Sequence, residues 1–69
     1  MLNTKLKVGD VLADNDIRNN IEGGKRRVTV TQVGPDTVAY FSGKRTCWIK
    51  VERIHNDGIV RSQGYDLVS

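Results

Sequence analysis

The chain has 69 residues, with eleven Lys and Arg against eight Asp and Glu, one His and one Cys, and a net charge of +3. That length specifies one domain, residues 1–69, with a small core, since a chain of this size buries only roughly 60% of its unfolded surface. A single thiol closes no internal disulfide, and one Cys with one His cannot complete a four-ligand zinc site, so neither a disulfide scaffold nor a metal or cofactor site is expected. The lone Cys47 fits a reducing, cytoplasmic setting. The stretch MLNTKLKVGD carries no apolar signal-peptide core, and no apolar run approaches the roughly 20 residues of a membrane span. The modest positive charge favours acidic partners, nucleic acid among them.

In chain order, LKVGDVLAD alternates Leu6, Val8 and Val11 with polar residues around a Gly-Asp break, predicting a first strand with a bend. DNDIRNNIEGG follows. Asp16 can cap a short helical turn, but two Gly and several Asn favour a long polar loop, pinned by Ile17 and Ile21. RRVTVTQV alternates cleanly, with Val28 and Val30 on one face and Thr29 and Thr31 on the other. GPD is a turn, TVAYF a third strand, SGKR a second turn and TCWIKV a fourth strand. HNDG marks another turn, and IVRSQGYDLVS ends in a short strand with Tyr65, Leu67 and Val68. The expected core is Val8, Val11, Val28, Val30, Val38, Tyr40, Cys47, Ile49, Val51, Ile54 and Leu67.

Five short strands, a long first connection and tight hairpins predict an all-β fold: a small, strongly bent antiparallel sheet of the SH3-like barrel kind. The segments Asp14-Asn15-Asp16-Ile17-Arg18, Arg27-Val28-Thr29-Val30, Arg45-Thr46-Cys47-Trp48-Ile49 and Gly64-Tyr65-Asp66-Leu67-Val68 resemble a group of small uncharacterised bacterial and phage proteins. In that group an Asp-Asn-Asp-x-Arg segment precedes a valine strand, an Arg-Thr-x-Ile strand comes later, and the chain ends Gly-Tyr-x-Leu. This chain departs from the pattern in NNIEGGK and in Trp48, where a smaller residue is expected. The resemblance implies a bacterial or phage-infected cytoplasm and no assigned activity.

Alternation in the fourth strand puts either Cys47, Ile49 and Val51 inward, or Thr46, Trp48, Lys50 and Glu52. The second choice buries two charges at several kcal/mol each, so Trp48 is expected to face outward. Pairing through SGKR sets Phe41 opposite Thr46, Tyr40 opposite Cys47, Ala39 opposite Trp48 and Val38 opposite Ile49. A GPD turn then sets Thr31 opposite Ala39, Val30 opposite Tyr40 and Thr29 opposite Phe41. Phe41 and Trp48 thus lie on a diagonal of the outer face, bordered by Thr29, Arg27, Lys44, Arg45 and Lys50. Such a patch suits a protein partner or stacked bases. The alternative is that the N-terminal segment, the long loop or a second chain covers it.

Asp14, Asp16 and Arg18 form a secondary candidate surface. DNDIRNNIE fails as a calcium loop because Arg18 and Asn19 occupy the fifth and sixth positions, so turn-forming Asx residues with Arg18 paired to an Asp are expected. EGGKRR lacks the phosphate-loop pattern and reads as a solvated basic loop. Cys47 reads as a small core residue and His55 as an exposed strand end. The function expected is a non-catalytic binding module: first a protein-binding one, such as a phage protein that modulates a bacterial enzyme. The other readings are a nucleic-acid-binding accessory domain or a self-associating subunit, with a homodimer among the forms considered.

Overall fold

A computed structural model describes residues 5–68; the expectations resting on residues 1–4 and on Ser69 lie outside the described residues. The described chain forms β1 (Val11–Asp14), β2 (Arg27–Val33), β3 (Thr37–Ser42), β4 (Arg45–Lys50), β5 (Ile54–His55) and β6 (Tyr65–Leu67). Its helical turns are two three-residue 3-10 turns, Ile17–Asn19 and Val51–Arg53. The strands make one curled half-barrel sheet in the order β4-β3-β2-β1-β6-β5, the expected all-β class in keeping with a small SH3-like barrel. There are six strands where five were expected, and β5 runs parallel to β6. A two-residue strand is too short to leave an alternating pattern.

The β3–β4 register matches the four expected pairs, from Val38 opposite Ile49 to Phe41 opposite Thr46, and extends to Thr37–Lys50 and Ser42–Arg45. Between β2 and β3, Val30 faces Tyr40 as expected, but Ala39 faces Gln32. Thr31 is the extra residue of a bulge, and its hydroxyl donates to the Ala39 carbonyl at 3.3 Å. The first strand is shorter than expected. Lys7 to Asp10 close a turn, with Asp10 N–H donating to Lys7 O and the Asp10 carboxylate accepting from Lys7 N–H. That turn resets the alternation, so Leu6 and Leu12 are buried while Val8 is exposed and Val11 half-buried. A slip of one residue moves a whole strand's side chains to the other face.

The core gathers Leu6, Leu12, Val28, Val30, Val38, Tyr40, Ile49, Ile54 and Tyr65, with Cys47, Val51 and Leu67 packed against it. Each fully buried aliphatic side chain contributes about 1.5–3 kcal/mol. Ala39 shares Trp48's face by register yet is fully buried, because a methyl group between larger neighbours exposes nothing.

Ile17 and Ile21 do not pin the β1–β2 connection; both are exposed. Polar groups hold it instead. Asn15 is 2% exposed. Its N–H donates to Gly64 O, its side-chain amide to Gln63 O, and its oxygen accepts from Lys25 Nζ at 2.7 Å. A buried amide satisfied on every side costs little and fixes two loops to each other.

Candidate binding face

Phe41 and Trp48 stand on the outer face of β3 and β4, 62% and 56% exposed, on the diagonal that the register specifies. Among the described residues nothing covers them. Diagonal neighbours of this kind are within reach of each other when the side chains are large. Thr29 and Arg27 are exposed on the same face of β2, opposite Val11 and Ala13 of β1. Lys50 closes the far end of the face, and Lys44 sits in the β3–β4 turn; both are exposed. Arg45 has the opposite parity, that of Cys47, and its exposure comes from its place at the hairpin tip.

The charges are sorted in space more sharply than in sequence. The ion pairs among the described residues are Arg18–Asp16, Arg26–Asp14 and Arg61–Asp57, and none uses Arg27, Lys44, Arg45 or Lys50. Asp10 and Asp14 are buried, and Asp16 and Asp57 are occupied by their arginines. The acids nearest the face lie at its margins: Asp36 and Glu52 share a depression with Lys50, and Glu22 and Asp66 share a groove with Arg27.

The secondary candidate divides. Asp14 is not a surface group: its side chain is 4% exposed. Its carboxylate accepts from Asp16 N–H, Asn19 Nδ2 and Arg26 Nη2. Arg26 is therefore no part of a solvated basic run. Its guanidinium lies 5.8 Å from the Tyr40 ring centroid, and burial, which alone would lower its pKa, is outweighed by the Asp14 carboxylate. Tyr65 packs against Tyr40 with ring centroids 6.5 Å apart. Burial, reinforced by a hydrogen bond with Tyr40, pushes the Tyr65 phenol up to about 12. Asp16 and Arg18 remain at the surface but engage each other, as expected, through three side-chain hydrogen bonds. The Arg18 side-chain bonds, with its backbone N–H, hold the Asp16 carboxyl down at about 2.

His55 is half-buried, and its Nδ1 is enclosed without a hydrogen-bond partner. Among the described residues no three His, Cys, Asp or Glu side chains gather where they could hold a metal ion, and no helix is long and apolar enough to cross a membrane. The sequence reading assigned no role to Ile59 and Val60, which are 58% and 92% exposed. Asp57 braces them by accepting from Ile59 N–H and pairing with Arg61. The turn signals on either side, NDG and SQG, mark that segment as a displayed loop.

Comparisons with protein-family models, with curated proteins and with solved structures give no match.

Proposed function

We propose that this chain is a non-catalytic protein-binding module whose contact surface is the outer face around Phe41 and Trp48. One observation carries the reading: two large aromatic rings stand exposed on one face of the sheet, at diagonal positions of β3 and β4, with cations around them that carry no ion pair among the described residues. Aromatic residues and Arg at the centre of a patch are the usual anchors of protein interfaces, and a sheet holds them at little entropic cost. The resemblance noted above, to bacterial and phage proteins of no assigned activity, makes a bacterial protein the partner to seek first. The same cations favour single-stranded nucleic acid as a second reading, since bases stack on exposed rings at about 1–3 kcal/mol each.

The test is capture from a bacterial lysate by the wild-type chain, by Trp48→Ala and by Val60→Ala, each with and without nuclease. A protein held by wild type and Val60→Ala, lost with Trp48→Ala and indifferent to nuclease supports the proposal. Loss on nuclease treatment transfers the reading to nucleic acid, whose affinity falls with log salt by roughly 0.7–0.9 per contacted phosphate. Trp48→Ala is expected to cost the free domain less than about 1 kcal/mol, as surface substitutions do. If it unfolds the isolated chain, the ring is core and the platform is wrong.

A further inference from the structure

β4 is an edge of the sheet, and the residues whose side chains face outward all turn their N–H and C=O groups, in the plane of the sheet, to the same side. Val51 N–H donates to Asp36 O, so positions 36 and 51 form a bonded pair. In an antiparallel ladder bonded and non-bonded pairs alternate. Val38–Ile49, Tyr40–Cys47 and Ser42–Arg45 are then the bonded pairs, and the N–H and C=O groups of Thr46, Trp48 and Lys50 point away from β3. Lys50 C=O, as the N-cap of the Val51–Arg53 turn, accepts that turn's first bond, and the ladder to β3 uses none of the other outward groups. At the other end of the sheet, β5 is only two residues long. β4 has six, without a break in register. A long open edge is a template for a further strand.

We infer that β4 takes up an extended segment of a partner protein in which acidic and branched apolar residues alternate; this deepens the protein-binding reading and rests on it. A strand added to β4 sends alternate side chains to the two faces of the sheet. Those on the outer face come beside Trp48 and Lys50, near Lys44, where carboxylates meet cations that carry no ion pair among the described residues. Those on the inner face come beside Cys47 and Val51, which are only partly buried at the core's margin, where apolar side chains complete the cover. A second copy of the chain paired along this edge would gather Lys44, Arg45 and Lys50 of both chains on one seam. Edge lysines of this kind oppose self-pairing and leave an acidic strand unopposed. Nucleic acid has no regular row of N–H and C=O groups to match the edge.

The probe is a blocked octapeptide of alternating Glu and Val, with the Lys-Val octapeptide and a dT decamer for comparison. It is added to the isotope-labelled full chain while amide exchange is followed residue by residue. The Glu-Val peptide is expected to bind, and the amides of Thr46, Trp48 and Lys50 to gain at least about tenfold protection, while those of Cys47 and Ile49, already bonded to β3, change little. Thr46→Pro removes one outward N–H without touching the β3 ladder, a change an edge strand tolerates. It is expected to weaken peptide binding about tenfold or more. Binding that Trp48→Ala abolishes, without alternating protection, overturns the edge pairing and leaves the outer-face reading standing. No peptide binding at millimolar concentration overturns the inference. So does equal binding of the Lys-Val peptide, or alternating protection that appears on concentrating the chain alone. Binding of the dT decamer in place of the peptide overturns both readings.

Discussion

Asp14→Asn tests the polar cluster beneath the β1–β2 loop. The substitution keeps shape, so no cavity forms, and the Asn oxygen can still accept from Asp16 N–H. What is lost is the negative charge opposite Arg26 and the second acceptor oxygen, which bonds both Arg26 and Asn19. A hydrogen bond to a charged group is worth about 1.5–3 kcal/mol and a neutral one about 1. The Arg26 side chain is 30% exposed, so water recovers part of the loss. The net cost is about 2–4 kcal/mol, against a total stability of roughly 3–10 kcal/mol for a chain of this length. At about 4–8 °C per kcal/mol, the melting temperature should fall by roughly 8–32 °C. Far-ultraviolet circular dichroism is the measurement of choice, because Trp48 is already exposed in the folded state and its emission reports unfolding poorly. Arg26→Met, alone and combined with Asp14→Asn, completes a double-mutant cycle with an expected coupling of about 1.5–3 kcal/mol. A change below about 0.5 kcal/mol with no coupling would refute a structural role. Asp14 would then return as a candidate partner contact.

Val30 is 1% exposed at the centre of the core, and Val30→Ala should cost about 1–3 kcal/mol in a denaturant melt; an unchanged midpoint contradicts its inward assignment. Gly64 has φ of +78°, and a Cβ there would stand 2.8 Å from the Arg53 carbonyl oxygen, whereas one on Gly43, at φ +62°, meets nothing within 4 Å. Gly64→Ala should therefore cost clearly more than the roughly 1–2 kcal/mol of left-handed strain expected for Gly43→Ala, and equal costs would show that the close approach is absent. With its pKa raised to about 12, Tyr65 adds stability that is complete below about pH 10 and lost as pH rises through 12. An alkaline absorbance titration of the wild type should show a late phenol step that Tyr65→Phe removes, and a titration complete near pH 10 would contradict its burial.

The β3–β4 hairpin was legible because local signals agreed: its turn residues set the loop length, alternation set the parity, and the cost of burying Lys50 fixed which way Trp48 faces. The β2–β3 turn was not, because four residues, 34–37, separate the Val33–Val38 pair where GPD suggests three. The bulge at Thr31 was not legible, since no glycine marks it and the hydroxyl that bonds the Ala39 carbonyl belongs to a residue that also suits a regular strand. The first strand slipped because the turn from Lys7 to Asp10 is closed by a side chain, which a hydrophobic pattern does not register. The β1–β2 loop departs from its pattern for a related reason. Hydrophobicity alone points to Ile17 and Ile21 as its anchors, but Asn15 is tied to a carbonyl 48 residues away, and a buried polar residue is recognisable only once its partners are brought near. The facing of the candidate site was thus readable in advance. Its charge was not, because folding draws Asp10 and Asp14 into the core and Asp16 and Asp57 onto arginines elsewhere, and leaves the remaining acids at the margins of the face.

One parity governs both properties of β4. In a strand, side-chain facing and the direction of the N–H and C=O groups alternate with the same period of two. Once Cys47 and Ile49 are committed to the core and bonded to β3, Thr46, Trp48 and Lys50 must present their side chains outward and their backbone to the open edge together. Neither property needs separate encoding, and neither can be altered alone by changing register. A side-chain substitution at 48 tests the platform and leaves the ladder groups in place. A proline at 46 tests the ladder and leaves the tryptophan in place. The two arms therefore separate what a single parity joins, and an edge that serves only to end the sheet would respond to neither.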